Sequence, residues 1–146
     1  MAVDDRDLFE AIGRVVIGAA ELEYAVALLV AVAEGLRGRD SRQRALAIVR
    51  STGEAMRQFG RLAAHRSDLA WLQRDTAQLM RARHFIAHPV VQQDAVAEGD
   101  AALFIVNPRS GEETMITTAQ VVSHVQYFRE ARGRIYVAIA SELGDS

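Results

Sequence analysis

Arg81-Ala82-Arg83-His84-Phe85-Ile86-Ala87-His88-Pro89 gathers most of the chemically capable side chains that fall close together in this chain. Two guanidinium groups and two imidazoles occupy one short stretch at the end of a long helical pattern. On a helix, Arg81, His84 and His88 have i, i+3, i+7 spacing and line one face. Pro89 offers no N–H and biases His88 away from the helical region, which places His88 at a helix C-terminus among unpaired carbonyls. The negative end of the helix dipole favours an imidazolium there. A histidine titrating near neutrality beside guanidinium groups suits a phosphodiester: one group moves protons, and the others hold the anion.

Arg83-His84-Phe85-Ile86-Ala87-His88 resembles the R-x4–6-H motif of the HEPN superfamily, in which a polar residue, usually Asn, Asp or His, follows the Arg. Arg81 to His88, with six residues between, also fits that spacing. The resemblance is sharp at 83–88 and loose over the helical scaffold from 4 to 140. It implies a small all-helical domain and a metal-independent ribonuclease without a cofactor. The implied reaction is attack of a 2′-hydroxyl on the adjacent phosphate, leaving a cyclic phosphate. Arg83 and His88 are then the catalytic pair, with Arg81 and His84 binding or supporting the phosphate. One histidine cannot readily be both acid and base, and HEPN enzymes commonly juxtapose two motifs across a dimer, so the resemblance implies a homodimer with RNA as partner. The alternative is a non-catalytic HEPN-like module that binds RNA, a nucleotide or another protein. Some HEPN toxins carry a tyrosine two residues after the motif His, which a paired nucleotidyltransferase modifies. Val90 stands there, so any antitoxin or regulatory partner is unknown.

His84 and His88 also have the i, i+4 spacing of two metal ligands. No HExxH is present, because Phe85 follows the first His, and His124 is a third ligand only by count, so no metal site is expected. A purely structural reading makes the stretch a helix end in which His88 caps carbonyls and Arg83 pairs with Glu23.

The elements that must position these residues follow from periodicity. A first helix is expected from about Asp4 to Leu36, with Ile12, Val15, Val16, Ala19, Leu22, Val26, Leu29 and Val30 as an apolar stripe and Gly35 and Gly38 at its end. Glu23 falls inside that stripe and needs a partner or a route to water; Arg83, Arg81 or His88 would serve as the partner. Asp40 with Gln43, and Ser51 with Glu54, read as capping pairs for two short helices, the first through about Val49 and the second to about Ala64. His65 reads as a surface or capping residue. Ser67 is the expected N-cap of the motif helix, about Asp68 to Ala87, with Leu69, Leu72, Thr76, Leu79 and Ile86 inward and Trp71 in the core.

Beyond Pro89, the stretch from Gln92 to Asp100 reads as loop. Leu103–Val106 and Thr114–Thr117 read as a hairpin around Asn107-Pro108-Arg109-Ser110-Gly111, an insertion spanning about 101–117. Thr117 with Gln120 caps a last helix to about Ala140, with Val121, Val125, Phe128, Ile135 and Ile139 inward. The expected fold is therefore mainly all-α: an up-and-down bundle of four to five helices in a single domain, 1–146, with a small β-hairpin before the last helix.

The composition narrows the function classes. The chain has 146 residues, half of them hydrophobic and a quarter charged, as a folded core requires. It has no cysteine, which excludes disulfides and thiolate chemistry, and no lysine, which excludes Schiff-base and P-loop chemistry. All basic residues being arginine, with abundant alanine, reads as GC-rich bacterial coding. The acidic start Met1-Ala2-Val3-Asp4-Asp5 is unlike a signal peptide. Arg14, Glu21 and Glu23 interrupt the apolar run from Ala11 to Ala33, so a buried helix is favoured over a membrane span and a cytoplasmic location is expected. The net charge of −2 hides an asymmetry: residues 37–83 carry 11 arginines against 4 acids, and both flanks are acidic. Arginines sharing a face there would steer a polyanion; otherwise they form a solvated, paired surface.

Overall fold

The computed structural model describes residues 5–87, 96–97, 100–106, 111 and 113–144. The chain is mainly helical, with a small sheet before the last helix. In order come α1 (Asp5–Ala33), α2 (Gly38–Val49), α3 (Glu54–His65), a 3-10 turn (Ser67–Leu69), α4 (Ala70–Ala87), β1 (Val96–Ala97), β2 (Asp100–Val106), β3 (Glu113–Thr117) and α5 (Thr118–Gly144). Two compact units are formed, each from separated parts of the chain: residues 1–19 with 79–128, and residues 20–78 with 129–146.

In the first unit, Leu8, Ala11, Val15 and Ala19 of α1 are buried at i, i+3, i+4 spacing, as are Ile86 of α4 and Val121 and Phe128 of α5. A Cβ added to Gly18 would meet the Phe128 Cβ at 3.3 Å, so this glycine admits a close approach of α1 to α5. β2 and β3 pair antiparallel, with Leu103 opposite Ile116 and Phe104 opposite Met115. β1, in a stretch expected to be loop, extends this hairpin to three strands through Val96 with Ala101 and Ala97 with Asp100. The expectation there weighed polarity alone, whereas edge pairing is set by backbone hydrogen bonds. The Thr117–Gln120 cap forms as read: the Thr117 N–H donates to Gln120 Oε1 at 2.9 Å and the Gln120 N–H to Thr117 Oγ1 at 3.2 Å.

The second unit is a helical bundle. Leu22, Ala25, Val26, Ala27, Leu29, Val30, Ala31 and Val32 are all buried, so the C-terminal half of α1 is enclosed on every side. Ala45 and Ile48 of α2, Phe59 of α3, Leu72 and Thr76 of α4, and Ile135 and Ile139 of α5 complete its core. α1 ends in a Schellman motif: Gly35, at φ 95°, donates to the Val32 carbonyl at 3.0 Å, and Leu36 donates to that of Ala31 at 3.1 Å. Arg37 adds donors to the carbonyls of Val32 and Leu36, and at 3.5 Å to that of Glu142 near the end of α5. Glu21 pairs with Arg132, Asp75 with Arg134 at 2.7 Å, and Glu142 with Arg66.

Several local expectations differ from the structure. α2 starts at Gly38 and has no side-chain cap; Asp40 sits in its first turn and Ser41 Oγ donates to the Gly38 carbonyl at 2.7 Å. The Schellman end of α1 hands the chain over early, so the next helix restarts before Asp40 can cap it. At α3 the N-cap is Gly53, left-handed at φ 76°, and not Ser51. The Ser67 cap is replaced by the 3-10 turn. Val16 is exposed and Trp71 is 60% exposed. Leu69, Leu72 and Thr76 define the inner arc of their segment, and Trp71 leaves about 100° or more from it, so size alone does not bury it. α5 continues four residues beyond Ala140.

α1 is long and apolar enough to cross a membrane, with a mean hydropathy of 2.1 in its most apolar window, yet 56% of that window is buried inside this fold. Its charged Arg14 is paired with Glu10 at 2.6 Å.

Gly133 in α5 has nothing within 4 Å of an added Cβ. Gly133→Ala is therefore expected to raise stability by about 1 kcal/mol through helix propensity. Gly18→Ala should gain less or lose stability, because the Phe128 contact must give way. Urea denaturation of both variants checks the contrast.

Candidate functional site

Arg81, Arg83 and His84 all lie on the C-terminal half of α4, in the first unit, and are positioned by one helix. Two residues apart on a helix means about 160° apart around it, so Arg81 and Arg83 leave α4 on nearly opposite sides. Arg81 is exposed. Arg83 is half-buried, on the same side as fully buried Ile86 three residues on. Its Nε is buried and has no hydrogen-bond acceptor. An unsatisfied buried donor of this kind costs roughly 1–3 kcal/mol. The helix thus gives the two arginines different roles: Arg83 is held against the interior, and Arg81 faces solvent.

The side chain of His84, and His88, Pro89 and Val90 altogether, lie outside the described residues. Glu23 is half-buried on α1 in the second unit. His65 is exposed at the end of α3, as its reading as a surface residue requires. His124, on α5 in the first unit, was considered only as a third metal ligand. Its Nδ1 lies 2.8 Å from the Gln120 carbonyl and its ring meets Tyr127 edge-on at 5.6 Å. A carbonyl partner requires Nδ1 to carry the proton, which leaves Nε2 as the acceptor in the neutral ring. Among the described residues no group of three or more His, Asp or Glu comes together to hold a metal ion.

A second feature was not anticipated. In the second unit an open groove of about 720 Å³ runs between α4 and α5, lined by Trp71, Leu72, Glu130, Arg134 and Val137 among others. The Arg134 guanidinium lies 5.8 Å from the Trp71 ring centroid, a cation–π contact, while donating to Asp75. Trp71 and Arg134 are 63 residues apart in sequence, so no local pattern could have joined them.

The electrostatics divide the arginine-rich middle into paired and unpaired groups. Glu54 accepts from Arg57, Gln58 and Arg61 at 3.0, 3.1 and 3.0 Å. Hydrogen bonds from Gln58 and Arg57, with the nearby guanidinium charge, hold its carboxyl below the ordinary 4.5. Asp68 is lowered by its two-point contact with Arg66, at 3.0 and 2.8 Å. Arg66 in turn is raised by Asp68 first and by Glu142 second.

No protein-family model, curated protein or solved structure matches the chain.

Depressed carboxylates stabilise the fold above their unfolded-state pKa, and that contribution is lost as the pH falls through the lower folded value. Stability should therefore drop below about pH 4. Glu54→Gln should be less stable than the wild type at pH 7 and lose less on acidification. Urea midpoints between pH 7 and pH 3 measure both effects.

Proposed function

We propose that this chain is a HEPN-type, metal-independent endoribonuclease acting on RNA, with Arg83 and His88 as its catalytic pair. Arg83 carries the reading. Its guanidinium is anchored on the inner side of α4 beside Ile86, and its buried Nε has no protein acceptor. A cation held at that energetic cost is suited to an anionic group that the protein does not supply.

In the proposed reaction the RNA 2′-hydroxyl attacks the adjacent phosphorus and the 5′-oxygen leaves, giving a 2′,3′-cyclic phosphate. A base takes the hydroxyl proton and an acid returns one to the leaving oxygen; His88 serves in one of these transfers. Arg83 neutralises the charge developing on the non-bridging oxygens. Arg81, exposed on the other side of α4, is better suited to neighbouring phosphates than to the scissile one. His84 and Glu23 are supporting residues, Glu23 as the carboxylate that orients a motif side chain. No cofactor enters.

The proposal includes a homodimer. Phe9, Val16 and Ile17 form an exposed apolar face on α1, with Phe9 and Ile17 each 60% exposed. They stand at i, i+7 and i+8, on one side of the helix, and such a face suits a self-complementary interface. A cytoplasmic setting fits the burial of the apolar half of α1. The groove at Trp71 and Arg134 favours a second reading, in which the domain is a binding module for a protein and the arginines only hold phosphate.

Purified protein incubated with labelled single-stranded RNA in EDTA should cleave it. Arg83→Ala should lower the rate by about 10²-fold or more, and His88→Ala by about 10²- to 10⁴-fold, with circular dichroism unchanged. Cleavage that is absent, or equal in all three proteins, would remove the catalytic assignment. Light scattering should show a dimer that Ile17→Glu converts to monomer with loss of cleavage.

A further inference from the structure

α2 carries a stripe of arginines that the protein itself does not use. Arg39, Arg42 and Arg50 are exposed, and none has a hydrogen-bond or ion-pair partner among the described residues. The other arginines of the basic middle in this unit are mostly engaged: Arg44 with Glu34, Arg57 and Arg61 with Glu54, Arg66 with Asp68 and Glu142. At about 100° per residue, Arg39, Arg42 and Arg50 fall within an arc of about 80°, together with Leu46, which is 50% exposed. Ser41, Ala45 and Ile48, on the opposite side, are buried. The stripe therefore points to solvent as a consequence of how α2 is anchored. From Arg39 to Arg50 it extends about 16 Å along the axis at about 1.5 Å per residue. Asp40 lies at its flank as the one carboxylate of α2.

From this arrangement we infer that the outer face of α2 is a docking track for the phosphodiester backbone of single-stranded RNA. The inference rests on the RNA-directed reading above and assigns part of the RNA's binding to residues remote in sequence from Arg83. Three guanidiniums along a rigid rod offer paired N–H donors to successive phosphates. A neutralised acidic partner is disfavoured as resident, since the nearby carboxylates of Glu34 and Glu54 are already taken by other arginines. An anionic membrane is disfavoured too: surface-lying helices insert an apolar face, and that of α2 is buried in the fold, leaving Leu46 alone.

The test uses the full chain and RNA with 2′-O-methyl sugars, which binds but cannot be cleaved by 2′-hydroxyl attack. Affinity is measured by fluorescence polarisation across a salt series for wild type, for Arg39→Gln/Arg42→Gln/Arg50→Gln, and for Arg44→Gln/Arg57→Gln/Arg61→Gln. The last removes the same charge from arginines that are already paired. For single strands each phosphate contact contributes about −0.7 to the slope of log K against log salt. The α2 variant should lose about 2 from that slope and bind at least about tenfold more weakly at low salt, with circular dichroism unchanged, while the paired-arginine variant keeps most of its slope. Parallel arms use single-stranded DNA, to separate phosphate reading from RNA selection, and vesicles containing phosphatidylserine. DNA bound through the same arginines supports a phosphate track. Equal losses in the two variants, no loss in the α2 variant, no binding of the uncleavable RNA, or α2-dependent binding of vesicles in place of RNA would each overturn the inference. Cleavage of ordinary RNA is scored separately: a protein that binds through α2 but does not cut retires the nuclease reading alone, and one that cuts without α2-dependent binding retires the track alone.

Discussion

The enclosure of the second half of α1 is the constraint on which the helical unit depends. From Leu22 to Val32 almost every side chain is buried, so no face of this segment can be left to water. A helix apolar on all sides must be surrounded, and α2, α3 and the relevant parts of α4 and α5 are the surroundings. Their polar interactions follow from that duty. The Glu21–Arg132, Asp75–Arg134 and Glu142–Arg66 pairs lie towards the outside of the unit, where their net worth is small and their value is in fixing neighbours. The Schellman turn and Arg37 deal with the carbonyls that α1 would otherwise leave unpaired at its end.

Much of the fold was legible because its signals are local. Apolar spacing located all five helices, Thr117 and Gln120 announced their cap, and the Asn107–Gly111 run marked the hairpin between β2 and β3. What failed also has a common cause. Asp40 and Ser51 looked like caps, but the chain enters α2 from a Schellman turn and α3 through a left-handed Gly53, and those entries decide which residue comes first. Trp71 looked like core by size, yet it stands outside the arc of Leu69, Leu72 and Thr76 and lies against an arginine of α5.

The candidate site was legible in kind and only partly in arrangement. Sequence grouped Arg81 and Arg83 as two cations near one histidine. The helix separates them, one to the interior and one to solvent, and only the buried Nε of Arg83 marks an unspent interaction. The basic middle could be counted in the sequence but not sorted. Which arginines are neutralised depends on where Glu34, Glu54, Asp68 and Glu142 arrive, and three of those four pairings join different elements or turns. The residue of that sorting, the outer face of α2, is invisible to any count of charge.

Each of the two units draws on both early and late parts of the chain, and both take a share of α5. During synthesis, then, neither unit can be completed while α5 is still within the ribosome. The apolar second half of α1 emerges more than a hundred residues before its last covering element, and it must wait in a partly wrapped state. The early helices α2 and α3 can shield it in the interim, because they follow it directly in the chain. A nascent protein of this design commits to its final packing late and nearly at once.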